Sequence, residues 1–409
     1  MQNESFSVLL ELAPTRARAG WPQGVDPGFE PVPLARGAMR EAGAGAAGPT
    51  IVVRADIRRA DLARLRADRD VVAVWSDPRV AAVQVEGSAA IDCTPRVPTG
   101  AASDVARALG ADRVWQASGY RGDRTVIGIV DGGIDGARFP VVGGWSPDPA
   151  APPGSARVAW EGHGNMCAFD AAIACPQARF HDYSIGKTAP GAGIAGLLSS
   201  ALQSFHRALV QHAADGTPQV LSNSWGLYQE AWDPFPPGDP SNYTRNPDHV
   251  FTRKLIELLD AGILVAFAAG NCGGACADAR CGADQGPGRG IWGAGGHARS
   301  ICVGAVNLRG EWIGYSSEGP AALSPEKPDV CGFSHFEGFF ASDNGTSAAC
   351  PVVAGVLGLF AGARAGVSQD RAREALRATA RRGAAGDAWN PRFGAGVIDA
   401  EAAWAVLAA

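Results

Sequence analysis

The sequence predicts an α/β protein: a central parallel sheet with helices on both faces, preceded by a small α+β unit. Three observations lead there. From Thr125 onward, continuous apolar strands alternate with helical patterns, the signature of a sheet buried on both faces. The stretch Glu86 to Ala102 is rich in Gly, Ser, Pro and Thr, a linker composition that separates this region from what precedes it. With 46% hydrophobic and 19% charged residues over 409 positions, the chain has apolar material for a large core.

The elements follow in order. Phe6 to Leu12 suits a strand, as does Pro49 to Ala55, where β-branched residues gather. Leu62 and Leu65, in the stretch Ala60 to Arg69, fall at helical spacing, with Val71 beyond its end. Val71 to Trp75 and Val80 to Val85 form short strands around the turn Ser76-Asp77-Pro78. These make a small domain over residues 1–88, followed by a linker over 89–104 and a large domain over 105–409. In the large domain, strands are expected at Thr125–Val130, Ala178–Ser184, Val220–Ser224, Ile263–Ala268 and Ser300–Val306. Helices are expected near Gly193–Ala214, Val250–Ala261, Ala348–Ala363, Ser368–Ala380 and Ala400–Leu407. Such sheets place ligands beyond the carboxyl ends of their strands.

A formal charge of −5 argues against a strong electrostatic preference for nucleic acid or an anionic membrane. Arg58, Arg59, Arg64, Arg66 and Arg69 cluster, but Asp56, Asp61, Asp68 and Asp70 lie among them, as on a solvated face laced with ion pairs. No run of apolar residues is expected to be long enough to span a bilayer. Met1 to Pro14 lacks a basic n-region and a small-residue cleavage site and reads as a strand, so the expected location is cytoplasmic, or outside by a route that leaves no Sec-type mark. Nine cysteines leave at least one without a partner in the chain. The spacing of Cys272, Cys276 and Cys281 favours a structural loop or local disulfide over a zinc site, which usually shows paired CxxC units.

Ser347 lies in Asn344-Gly345-Thr346-Ser347-Ala348-Ala349, ahead of an apolar helix. There, unpaired N–H groups and the helix dipole favour the negative charge that develops after nucleophilic attack. A hydroxyl nucleophile needs a base, and His163, flanked by Gly162 and Gly164, opens a helix. His181 competes but falls inside a predicted strand, and His206 and His212 sit on different faces of one helix. The base needs a carboxylate to orient it, and Asp131 ends the first apolar strand of the large domain just before Gly132-Gly133. Asp135 belongs to the turn that follows and is read as structural.

Ile129-Val130-Asp131-Gly132-Gly133-Ile134-Asp135, Gly162-His163-Gly164 and Gly345-Thr346-Ser347-Ala348-Ala349 resemble the three signatures of subtilisin-like serine peptidases, in the family's chain order Asp, His, Ser. The resemblance covers nearly everything from about Gly110 to Ala409. It implies the subtilisin-like three-layer fold and an endopeptidase acting through an acyl-enzyme on protein or peptide substrates. Ala268-Ala269-Gly270-Asn271 resembles the family's oxyanion-hole segment, with Asn271 as donor and Ala269 and Gly270 beside the substrate. Ser224-Trp225-Gly226 resembles the edge that pairs with substrate backbone.

Departures are present. Asn165-Met166 stand where the family usually carries a second histidine, and Cys350 and Val352 replace the usual Ser and His after the nucleophile. The N-terminal unit resembles the family's inhibitory propeptide, which implies an intramolecular inhibitor removed by a cut near Val85 to Ala102. Two other readings of the resemblance stand: a self-inhibited or inactive binding module, and a peptide ligase or macrocyclase using the same acyl-enzyme. No cofactor or metal is expected; Asp278 and Asp284 are the carboxylates available to a calcium site, without a recognisable ligand loop. Gly186-Lys187-Thr188 imitates the end of a phosphate-binding loop, which needs glycine where His181 stands.

Overall fold

In the computed structural model of the chain, the described residues are 5–14, 21–22, 24–35, 48–82, 93, 97–156, 162–186, 195–381 and 388–409. The N-terminal unit is a four-stranded antiparallel sheet. Its strands are β1 (Ser5–Leu12), β2 (Val32–Leu34), β3 (Thr50–Arg58) and β4 (Val71–Ser76), in the order β2-β3-β1-β4. One helical turn and a half, α1 (Leu62–Ala67), buries only Leu65 and leaves its arginines in water, where Arg58 and Arg64 pair with Asp61. A fifth strand, β5 (Arg79–Ala82), leaves this sheet and pairs elsewhere.

Helices α2 (Ala102–Leu109) and α3 (Ala111–Ser118) lead into the large domain, α2 starting inside the stretch that reads as linker. Then come β6 (Val126–Asp131), β7 (Val141–Trp145), α4 (His163–Ala174), β8 (Arg179–Ser184), β9 (Ala195–Leu197) and α5 (Leu198–Asp215). They are followed by β10 (Val220–Asn223), β11 (Trp225–Gly226), α6 (Val250–Asp260), β12 (Leu264–Ala268), β13 (Ile301–Val306) and β14 (Val330–Phe333). Helices α7 (Thr346–Ala363), α8 (Gln369–Thr379) and α9 (Ala400–Ala408) close the chain.

The main sheet has seven strands in the order β14-β13-β12-β10-β6-β8-β7, every neighbouring pair parallel. Its central strands are buried along their whole length, so their sequences are apolar without alternation. On one face, α4 and α7 build a core with Ile127, Ile129, Ala266 and Val303. On the other, α5 and α6 cover Val130, Leu221 and Val265. Contrary to the expectation that no apolar run is long enough, helix α7 is long and apolar enough to cross a membrane, but 83% of it is buried inside the protein as a core helix.

That second core also takes in Leu9, Val32, Val52, Trp75, Val80 and Ala82, so the N-terminal unit shares apolar packing with the large domain. Glu11 on β1 is fully buried and its carboxylate accepts from Thr50 Oγ1 at 2.7 Å and Trp75 Nε1 at 2.9 Å. Arg253 on α6 closes the set with a two-pronged ion pair to the same carboxylate. A buried carboxylate is tolerable only with such partners, so this network fixes where the small sheet docks. Nearby, His249 Nε2 donates to the Ser76 carbonyl at 3.1 Å, and burial pushes its pKa down to about 3, so the ring is neutral there.

Candidate active site

Asp131 is the last residue of β6, at the carboxyl edge of the sheet, and is 1% exposed. The Gly132 N–H donates to its Oδ1 at 2.7 Å. His163 is the first residue of α4, behind Gly162 with φ of 83°. Its Nδ1 lies 2.9 Å and 3.0 Å from the two carboxylate oxygens of Asp131. An ionised carboxylate only accepts, so Nδ1 carries the proton and the basic lone pair belongs to Nε2. Nε2 is buried and has no hydrogen-bond partner.

The glycines around His163 earn their place by close approach. A Cβ on Gly164 would collide with the Gly133 carbonyl oxygen, so only glycine lets α4 start against the turn after Asp131. Asn165, two residues after His163, accepts the Asp135 N–H at 2.7 Å and pins the same turn. One turn along α4, Cys167 touches all three candidates. Its Sγ is 3.8 Å from Asp131 Oδ2, 3.9 Å from His163 Nδ1 and 3.7 Å from the Ser347 carbonyl. Burial, reinforced by Asp131, pushes this thiol well above its ordinary pKa, so it stays protonated. The sequence reading passed over Cys167; its position four residues after His163, on one helix face, was the available signal. Asp131, His163 and Cys167 offer ligand atoms within 4.8 Å of one another, but two of those groups are already engaged in the Asp131–His163 hydrogen bond.

Ser347 is the second residue of α7, behind Gly345 with φ of 79°, and is fully buried. It is therefore not the N-cap. Its Oγ reaches the Ser224 carbonyl at 3.4 Å, and Ser224 Oγ donates to the Ser347 carbonyl at 3.1 Å. Asn271 follows β12, and its Oδ1 accepts from Thr346 N–H at 3.0 Å and Thr346 Oγ1 at 2.9 Å. These donors fix the amide's orientation, leaving Nδ2 buried without a partner. Gly270 has φ of 98° and its N–H donates to Thr346 Oγ1 at 3.1 Å, while Ala269 N–H remains in the sheet, bonded to Val303. Cys350 packs α7 onto β10, its Sγ 3.7 Å from the Asn223 carbonyl.

A strand from the N-terminal part of the chain pairs beside these residues. Strand β5 lies between β9 and β11 in a three-stranded antiparallel sheet, Ala82 opposite Trp225, Ala81 opposite Gly226 and Val80 opposite Gly196. A pocket next to Asn271 is walled by Trp225, Phe267, Ala269, Gly270 and Trp292.

The remaining candidates fall elsewhere. His181 is an interior residue of β8, its Nδ1 3.1 Å from Tyr183 Oη, with a pKa lowered to about 4 chiefly by burial. His212 Nδ1 donates to the Pro218 carbonyl at 2.8 Å. Asp278 is ion-paired with Arg280 at 2.7 Å, and Asp284 accepts the Glu230 N–H at 2.7 Å. Cys272 and Cys281 form the local disulfide, and Cys276 reaches back to Cys93. Lys187 and Thr188 of the phosphate-loop imitation, and residues 89–92 and 94–96 of the expected linker, lie outside the described residues.

A family model described as the Subtilase family matches residues 122–396. None of the curated proteins matches this chain. Among solved structures, it is similar to fervidolysin from Fervidobacterium pennivorans, described as a keratinolytic enzyme related to subtilisin. The TM-score is 0.63 at 14% sequence identity, over 98% of this chain and 61% of the other, so the chain spans about three fifths of that relative's length.

Proposed function

The chain belongs to the subtilase family, and we propose that it is a serine endopeptidase made as a self-inhibited precursor. The observation that carries the chemistry is the state of His163. Its Nδ1 is held by Asp131, and its Nε2 is buried and unpartnered, an imidazole kept in the tautomer a general base needs. In this reading Ser347 Oγ attacks the scissile carbonyl and His163 Nε2 takes its proton. The oxyanion is received by Asn271 Nδ2 and the Ser347 N–H at the start of α7. His163 then protonates the leaving amine, and water resolves the acyl-enzyme.

Strand β5 supports the precursor half of the proposal. A peptide in its register sets the residue after Ala82 opposite Ser224, whose carbonyl also faces Ser347 Oγ. For a substrate continued in that register the bond expected to be cut is the one after the second residue counted from Ala82 inclusive, which in this sequence is Val83, slightly ahead of the expected 85–102 stretch. Both disulfides lie after that bond, so the N-terminal piece is held only by noncovalent contacts once it is cut.

Intact mass of purified wild type beside Ser347→Ala, after incubation at neutral pH, tests this. Wild type is expected to lose residues 1–83 and the variant to remain whole. If both stay full length while a fluorophosphonate fails to label wild type, the inactive binding module is the better reading.

The two disulfides favour an oxidising compartment over the cytoplasm expected from the N-terminal sequence. Denaturing alkylation without reductant is expected to tag the five free cysteines, Cys167, Cys175, Cys302, Cys331 and Cys350, in protein recovered from its producing cell. Nine tags would place it in a reducing one.

A further inference from the structure

Backbone pairing with β9 and β11 does not account for every bond that β5 makes. The Ala82 carbonyl oxygen accepts from two side chains, Tyr228 Oη at 2.7 Å and Arg280 Nη1 at 3.1 Å. The surroundings of both donors hold them toward that acceptor. The Asp278 carboxylate takes Arg280 Nε at 2.9 Å and Nη2 at 2.7 Å, which leaves Nη1 as the edge turned to the cleft. The guanidinium also lies 4.1 Å over the Tyr228 ring, so a carboxylate fixes its edge and an aromatic face fixes its plane.

The loop that carries Arg280 is fixed as well. The Cys272–Cys281 disulfide closes it, the Cys93–Cys276 disulfide ties it to the chain beyond β5, and Gln229 Nε2 donates to the Arg280 carbonyl at 2.7 Å. Ala81, on the same strand, packs against Tyr228 and the Cys272–Cys281 pair. A rigid pair of donors, one of them charged, converges on one neutral main-chain carbonyl.

We propose that Tyr228 and Arg280 form a substrate-binding clamp on the main-chain carbonyl of the second residue before the scissile bond. This rests on the reading of β5 as a substrate held in the cleft. The clamp reads backbone and not side chain, so it serves any extended peptide. It gives no grip on a substrate that lacks a carbonyl at that position. The enzyme is thereby directed to bonds with at least two residues on their amino side, and the same clamp adds to the hold on its own N-terminal unit.

The test uses self-processed wild type, Tyr228→Phe and Arg280→Gln. Each is given a blocked tetrapeptide amide and an unblocked single-amino-acid ester, which has no carbonyl at the clamped position. A charge-assisted or well-placed bond to a carbonyl is worth about tenfold in binding. Either variant is therefore expected to raise KM for the peptide about tenfold with kcat little changed, and to leave kcat/KM for the ester at the wild-type value. Equal peptide KM in all three proteins would overturn the clamp. So would parallel losses on peptide and ester, which would mark a merely structural role. Labelling of Ser347 by a fluorophosphonate, which needs no clamped carbonyl, is expected at the same rate in all three. A wild type that does not label would instead remove the peptidase reading beneath the proposal.

Discussion

Ser347→Ala is expected to lower kcat for peptide hydrolysis about 10⁶-fold, the size of effect found when a subtilisin loses its nucleophile. That factor corresponds to about 8 kcal/mol of transition-state stabilisation. The fold should survive. Alanine differs from serine only by the hydroxyl oxygen and fits the same buried space at the second position of α7. An unchanged Tm with abolished turnover is the expected pair of results. His163→Ala should cost about as much alone, and the double variant little more, because nucleophile and base act as one unit. The kinetics are read on a synthetic peptide amide after the N-terminal unit has been removed by an added protease, since the variants cannot process themselves. Activity within a hundredfold of wild type would remove Ser347 from the role given to it.

How far the sequence reached differs between the sheet and its edges. Strands β6, β12 and β13 are apolar runs because both faces are buried, and each lies where its run predicts, while the equally buried β10 turns polar at Ser222-Asn223. Strand β7, Val141–Trp145, went unseen: it is an edge strand, alternately half-buried and exposed, with Gly143 and Gly144 in its middle. Gly144 sits there because a Cβ would strike the Asp182 backbone, a tertiary reason invisible in local pattern. The helix expected from Gly193 begins at Leu198, since Ala195–Leu197 is drawn into a strand by pairing with β5. Three residues have no strand signal of their own. The four residues proposed for the chemistry were legible because each sits where apolar strand or helix breaks at glycine. Arg280 and Tyr228 were not, because what gives them meaning is Ala82, almost two hundred positions from the arginine. The Cys93–Cys276 bond, 183 residues apart, was likewise beyond reading from spacing.

Asn271→Leu is the second large effect, an expected loss of about 10²–10³ in kcat with KM little changed. The structure gives an unusual reason for keeping an asparagine there. Thr346 N–H and Thr346 Oγ1 both donate to Asn271 Oδ1, so the amide cannot rotate without losing both bonds. Its Nδ2 is left buried and unpartnered, an arrangement that costs about 1–3 kcal/mol in a protein with no use for it. A donor held empty in the ground state gains its partner only when the carbonyl oxygen moves and becomes negative, which is why the loss falls on kcat and not on KM. Leucine keeps the side-chain size, removes the unpaired donor and leaves Thr346 N–H without its acceptor. The two changes in stability oppose each other, so Tm should move little. Steady-state kinetics on the peptide amide, with Tm alongside, decide the matter. A kcat within threefold of wild type would show that the empty Nδ2 serves packing, and that the oxyanion is held by the α7 backbone alone.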